Sequence, residues 1–233
     1  MNVGVVVFPG SNCDRDSLWV IREVLDANPK VLWHKDTDFS NVDMVILPGG
    51  FSYGDYLRTG AIARFSPVMS RIIDFANQGG LILGICNGFQ VLLECGLLDG
   101  AMIVNKKLRF LCRDVYIRVE REDTPFSSRL EKGQILRIPI AHFEGNYFAG
   151  DSVLKRIEDE KRVLFRYCDR DGNITEKANL NGSSNSIAGL LNDRGNVLGM
   201  MPHPERASES ILGSTDGVNI FRSAMYSLKK MGS

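Results

Sequence analysis

The sequence predicts an α/β protein: one domain in which a mainly parallel, open sheet is flanked by helices. Three observations predict it. Short apolar runs without polar alternation, such as Met44–Leu47 and Leu81–Ile85, suit strands buried on both faces. Segments with apolar residues at helical spacing lie between them. No linker, internal repeat or low-complexity block divides the 233 residues, so a single domain spanning 1–233 is expected.

Residues 3–8 form a β-branched run stopped by Pro9-Gly10, which reads as a buried strand and turn. Leu18, Ile21, Val24 and Leu25 then recur at helical spacing. Residues 30–34 read as a second strand, and Met44–Leu47 as a third, halted by Pro48-Gly49-Gly50. Val68, Ile72, Ile73 and Phe75 predict another helix closed by Gly79-Gly80. Leu81–Ile85 is the fourth strand, followed at once by a helix over 87–95 with Gly96 as its C-terminal cap. Beyond it, residues 115–119, 135–140, 163–167, Ile187–Leu191 and Val197–Met200 read as strands with few helices between them. A helix over 220–228 closes the chain.

The composition is 44% hydrophobic, and 28 basic residues balance 28 acidic ones. A net charge of zero leaves no basic field for nucleic acid. The start, MNVGVVVFPG, is too short an apolar run for a signal peptide, and no stretch reaches the ~18–20 apolar residues of a membrane span. The five cysteines are an odd number without a CxxC pair, which suits free thiols in a reducing compartment. A cytoplasmic protein is expected by elimination.

One cysteine stands apart. Cys86 follows the Leu81–Ile85 run and is flanked two residues away by Gly84 and Gly88, the pattern of a nucleophile elbow. The glycines permit a tight strand-to-helix turn that leaves the central side chain outward. A helix starting immediately after it aims free N–H groups at the sulfur and favours thiolate. Cys13, Cys95, Cys112 and Cys168 lack such glycines and read as core or surface residues, although Cys13 lies in another strand-end loop.

A nucleophilic cysteine needs a histidine base. His34 ends a strand and reads as an ordinary histidine. The other two both occur as H-x-E, in His142-Phe143-Glu144 and His203-Pro204-Glu205. Pro202 and Pro204 exclude helix around His203 and favour extended backbone, which puts Glu205 on the same side as the ring. Glu205 is then placed to orient that ring as the third member of a triad. A metal site built from both H-x-E pairs competes with this reading, but it leaves Cys86 and its glycines unexplained. Gly49 and Gly50, after the third strand, offer backbone N–H groups to a developing negative charge. No loop fits a GxxxxGK[ST] or GxGxxG phosphate-binding pattern.

Together PGGFSYGDYLR, GICNGFQ and MPHPE resemble the class I, triad-type glutamine amidotransferases in sequence and order. Within that class, FPGSNCDRD, PGGFSYGDYLRTGA, GICNGFQVL and MPHPERA resemble the glutaminase subunits that serve purine biosynthesis. The resemblance runs from about Val3 to the final helix and implies a flavodoxin-like amidotransferase fold. It implies that Cys86 attacks glutamine and forms a glutamyl thioester, with His203 as base and Glu205 orienting it. It further implies an oxyanion site at Gly50 and Asn87 and a substrate-holding role for Gln90. His142 falls near the glutamine pocket, where the family pattern AHGEG reads AHFEG here, with Phe143 in place of a glycine.

The resemblance also implies partners. A large synthetase subunit, with ATP and magnesium, would use the ammonia, and a small accessory subunit would join the assembly; this chain would carry no cofactor. The rivals are a cysteine hydrolase of the same superfamily, against which PHPE argues, and a silent regulatory module, against which the complete Cys86, His203 and Glu205 set argues.

Overall fold

The computed structural model describes residues 1–231. Strand β1 (Asn2–Val7) leads into a short helix α1 (Asp14–Trp19), which continues as one π-helical turn, Val20–Val24. Then follow β2 (Asn28–Trp33), β3 (Met44–Leu47), α2 (Pro67–Asn77), β4 (Leu81–Ile85) and α3 (Asn87–Glu94). The second half runs β5 (Ala101–Ile103), β6 (Leu111–Val119), β7 (Ile135–His142), β8 (Asn146–Phe148), α4 (Asp151–Asp159), β9 (Val163–Cys168), β10 (Ile187–Leu191), β11 (Val197–Met200) and α5 (Val218–Met231).

Nine strands form one mixed sheet in the order β2-β1-β3-β4-β11-β10-β9-β6-β7. The five from β2 to β11 are mutually parallel, and the remaining pairings are antiparallel. Following the directions outward, only β10 and β6 oppose the other seven, so the expected mainly parallel sheet is what forms. The strands of its centre, β3, β4, β10 and β11, are buried along their whole length, in keeping with their unbroken apolar sequence. β5 and β8 make a separate two-stranded ribbon.

Several boundaries differ from the sequence expectation, each for a local reason. β2 begins at Asn28 and includes Pro29, which is tolerated because β2 is an edge strand. β6 starts four residues earlier than expected. Its first half, with Leu111 half-buried and Cys112, Arg113 and Asp114 exposed, lacks the apolar signature and forms through pairing with β7. Helix α4 has no counterpart in the sequence expectation, yet Val153, Leu154 and Ile157 do carry a helical spacing beneath its charged residues. The first and last turns of α5 also extend beyond 220–228.

What positions the site is the parallel register of β4 with β11, which pairs Ile85 with Met200 and brings both carboxyl ends to one edge. The turn between β4 and α3 is packed to the limit: a β-carbon at Gly88 would collide with the Leu47 carbonyl of β3, and one at Gly84 would lie 2.8 Å from the Gly88 backbone. Gly88→Ala is therefore expected to destabilise the fold by about 2–4 kcal/mol, as overpacking against rigid backbone does. Gly150→Ala, where nothing stands within 4 Å, should cost under about 1 kcal/mol. Urea denaturation of the two variants checks the contrast.

Candidate active site

Cys86 sits between β4 and α3 with φ +50° and ψ −104°, far from any relaxed conformation for an L residue. Its N–H donates to Met200 O at 2.8 Å, which ties the turn to β11, and its side chain lies 3.7 Å from Ala141 O of β7. β7 belongs to the far end of the sheet, but it returns here because the His203 N–H donates to Pro139 O at 2.8 Å. The centre of the sheet and one of its ends therefore meet at the thiol.

His203 and Glu205 follow β11 through Met201 and Pro202. Both are about 2% exposed, and His203 Nδ1 lies 2.6 Å from Glu205 Oε1. Burial opposes charging the imidazole, but the Glu205 carboxylate outweighs it with help from the nearby Cys86 and Cys13 thiols, so its pKa is raised well above the usual value. Nε2 is buried without a hydrogen-bond partner and remains free for proton exchange.

His142 has the opposite fate. Asn105 Nδ2 donates to the carbonyls of Arg109 and His142, and its Oδ1 accepts from the Gly145 N–H, which fixes the amide orientation. His142 Nδ1, 3.1 Å from that oxygen, must then be the donor, leaving Nε2 as an unpartnered buried acceptor. Burial, with the charge of His203, pushes its pKa down to about 4. A neutral ring of this kind is a poor base.

The glycine loop after β3 runs antiparallel to residues 10–12. Phe51 N–H donates to Gly10 O and Asn12 N–H to Gly49 O, which leaves Gly50's own N–H outside this bridge. Gly50 lies at φ +147°, and a β-carbon on Gly49 would come within 2.7 Å of the His203 ring. A chain of side-chain bonds fixes the rest. The Ser52 N–H donates to Asn87 Oδ1, Asn87 Nδ2 to Gln90 Oε1, and Gln90 Nε2 to Glu144 O at 2.6 Å. Gly50, Phe51, Asp55, Thr59, Cys86, Gln90, His142, Phe143 and Glu144 line a cleft of about 50 Å³. Phe143 stands at its rim, 43% exposed.

All eight residues singled out from the sequence gather at this edge. Cys95 and Cys168 do not, and burial pushes their thiols up to about 11. His34 lies elsewhere and supports the loop through the Tyr53 hydroxyl, 2.7 Å from its Nδ1. Sequence reasoning missed Asn105, which carries no local signal, and the position of Cys13. The Cys13 thiol is buried beside His203 and accepts from Arg206 Nη2 at 3.0 Å. Cys13, His203 and Glu205 form the sole compact cluster of possible metal ligands among the described residues. It is unsuited to a metal: the histidine and carboxylate are already hydrogen-bonded to each other, and a guanidinium occupies the sulfur. The two H-x-E pairs do not combine either, since the Glu144 carboxylate accepts from Thr59 Oγ1.

Comparison with known proteins places the chain in a family. The CobB/CobQ-like glutamine amidotransferase domain family matches residues 1–224. The chain is 56% identical over 223 residues to phosphoribosylformylglycinamidine synthase subunit PurQ of Moorella thermoacetica, covering 96% of this chain and 94% of that protein. It is 54% identical over 230 residues to the PurQ protein of Koribacter versatilis, covering 99% and 100%. The chain belongs to the PurQ family of glutamine amidotransferases. Its backbone is similar to a chain in the solved structure of PurLQS from Thermotoga maritima, with TM-score 0.86, 44% identity and coverage of 97% and 98%. Another glutamine amidotransferase of known structure from Thermotoga maritima, 14% identical with TM-score 0.60 and coverage of 98% and 97%, shares the fold. No helix among the described residues is long and apolar enough to cross a membrane.

The neutral state of His142 makes stability depend on pH. Its folded pKa is depressed, so its contribution is complete above the unfolded value of 6.5 and is lost as pH falls toward about 4. His142→Gln should flatten that loss by up to about 3 kcal/mol, measured by urea denaturation at pH 7.5 and pH 4.5.

Proposed function

We propose that this chain hydrolyses glutamine to glutamate and ammonia through Cys86, His203 and Glu205. It supplies that ammonia to a partner synthetase, which converts formylglycinamide ribonucleotide to formylglycinamidine ribonucleotide with ATP in purine biosynthesis. The observation that carries the reading is the 2.6 Å His203–Glu205 contact beside a thiol on a strained strand-to-helix turn, in a chain more than half identical to PurQ proteins.

His203, whose charged form Glu205 favours, holds the proton given up by the Cys86 thiol, and the sulfur attacks as thiolate the side-chain amide carbon of glutamine. The oxyanion forms against backbone N–H groups of Gly50 and Asn87. As the C–N bond breaks, His203 returns the proton to the leaving nitrogen, releasing ammonia and a glutamyl thioester. Water, deprotonated by His203, then cleaves the thioester and restores the thiol. Glu205 holds the ring and stabilises each imidazolium state. Gln90 and His142 border the bound amino acid. In this reading residues 1–233 work as one amidotransferase domain in the cytoplasm. ATP and magnesium belong to the large synthetase, and a small accessory subunit completes the assembly.

Cys86→Ala should abolish glutamine hydrolysis while Cys95→Ala retains most of it. The assembled Cys86→Ala complex should still aminate with added ammonium. Equal residual glutaminase activity in the two variants would overturn the assignment.

The cleft's size argues for control by the partners. About 50 Å³ holds one or two waters, not glutamine. The bordering loop contains Tyr53, Gly54, Asp55 and Leu57 at positive φ, a strained arrangement suited to two states. Arg58 ties that loop to α3 through paired bonds to Glu94 at 2.6 and 2.7 Å. Misplacing one oxyanion donor costs roughly 10²–10³ in rate. Glutaminase kcat/KM should therefore rise at least about tenfold when the synthetase, its nucleotide and the accessory subunit join the chain, and Arg58→Ala should blunt the rise. Full activity in the isolated chain, unchanged by partners, would falsify this control.

A further inference from the structure

Cys13, Asp16 and Arg206 take no part in the chemistry above, yet they meet beside His203. Cys13 stands immediately before α1 with its backbone fixed on both sides. Its N–H donates to Gly49 O at 3.2 Å, and its carbonyl accepts from the Ser17 N–H at 3.1 Å and from Ser17 Oγ at 2.9 Å. A β-carbon on Gly49 would meet His203 Cε1 at 2.7 Å, Cys13 Sγ at 3.0 Å and Cys86 Cβ at 3.4 Å, so both cysteines and the ring crowd round one bare glycine. The Cys13 sulfur, one imidazole nitrogen and one Glu205 oxygen lie within 4.8 Å of one another. Burial raises the Cys13 pKa above the usual thiol value despite the opposing pull of His203. This sulfur is a neutral acceptor, not a second nucleophile.

The Cys13 S–H donates to Asn12 Oδ1 at 3.2 Å, which leaves the sulfur lone pairs to Arg206 Nη2, 3.0 Å away. Asp16 Oδ2, in the first turn of α1, accepts from Arg206 Nε at 3.2 Å. Arg206 is kept close to the histidine by its own backbone, whose N–H donates to His203 O at 3.1 Å. Among the described residues the guanidinium nevertheless forms no ion pair with Glu205, its neighbour in sequence. Glu205 Oε2 is buried and makes no hydrogen bond. A guanidinium is the natural partner for such an oxygen, because its planar donors match a carboxylate. Here those donors are turned to Cys13 and Asp16 instead.

We propose that Cys13 and Asp16 are positioning residues that hold the Arg206 guanidinium off Glu205 and so keep the charge of that carboxylate on the His203 ring. The inference rests on the triad reading above and deepens it. If Arg206 folded onto Glu205 Oε2, two cations would share one anion. The imidazolium would then lose much of the interaction that overrides its burial. The titratable and charged groups facing the ring are Glu205, Cys86 from the β4–α3 turn, Cys13 before α1 and His142 from β7, with Arg206 behind Cys13. Of these, Arg206 alone is a permanent cation on a side chain long enough to change partner.

The test follows His203 by nitrogen NMR of the histidine-labelled full chain as pH is raised, and the alkaline limb of glutaminase kcat/KM in the assembled complex. Cys13→Ala and Asp16→Asn, made separately, should each weaken proton binding by His203 at least about tenfold, moving its titration down by about 1 pH unit. The alkaline limb, where the imidazolium that protonates the departing ammonia is lost, should move down with it. Cys13→Ser, which keeps an acceptor for the guanidinium, should recover part of the change. Removing the cation as well, in the double variant Cys13→Ala with Arg206→Gln, should return the titration to the wild-type position. A merely structural cysteine would give no such rescue. If Cys13→Ala fails to fold, as judged by circular dichroism, Asp16→Asn, at a half-exposed carboxylate, carries the same readout. An unchanged titration in the folded single variants, or a change that persists once Arg206 is gone, would overturn the proposal. Inactivity of the wild-type complex toward glutamine would overturn the glutaminase reading, while the titration, read in the isolated chain, still decides the role of Cys13 and Asp16.

Discussion

The backbone of Cys86 stands at φ +50° and ψ −104°, which an L residue holds only when its surroundings leave no alternative. Three contacts remove the alternatives. Its N–H is bonded to Met200 of β11, Gly88 is pressed against the Leu47 carbonyl of β3, and Gly84 against the start of α3. The proposed nucleophile is therefore aimed by the centre of the sheet, the most rigid part of the fold. The β4–β11 register then brings His203 to the same place without any flexible connection.

A second, polar system spans the cleft and connects elements that share no strand pairing. Ser52 leads to Asn87, Asn87 to Gln90 and Gln90 to Glu144, linking the loop after β3, the first turn of α3 and the segment after β7. A shift of the glycine loop cannot remain local, because it pulls on a side chain one residue from Cys86. Tyr53 gives the loop its other anchor, with its hydroxyl between His34 and Ser66. The loop is held at both ends and strained in the middle, which is how a small displacement becomes a discrete one.

Electrostatics divides the labour between two buried histidines. Glu205 holds a positive charge on one ring, and that charge, added to burial, keeps the other neutral. In the proposed mechanism two identical side chains thereby become a proton carrier and a fixed acceptor. The division explains why the two H-x-E segments are not equivalent. In one, prolines hold the backbone so that the carboxylate meets the imidazole; in the other, Asn105 takes the imidazole and Thr59 the carboxylate.

The sequence by itself determined the elements whose signal is local. β3, β4, β10 and β11 were legible to the residue because strands buried on both faces must be continuously apolar. Cys86 and the His203–Glu205 pair were legible because a tight turn needs glycine and an extended PHPE places its carboxylate by chain geometry alone. The helical spacing in α4 was present but masked by charge. What only the tertiary structure decided depends on residues distant in the chain. The first half of β6 exists through its pairing with β7, Asn105 matters through a histidine 37 positions away, and Cys13 meets His203 because β1 and β11 end at the same sheet edge. The meeting of Asp55 and Glu144 is of the same kind. A carboxylate's environment is set by what packs around it, and no spacing along the chain reveals that two of them will share one cleft.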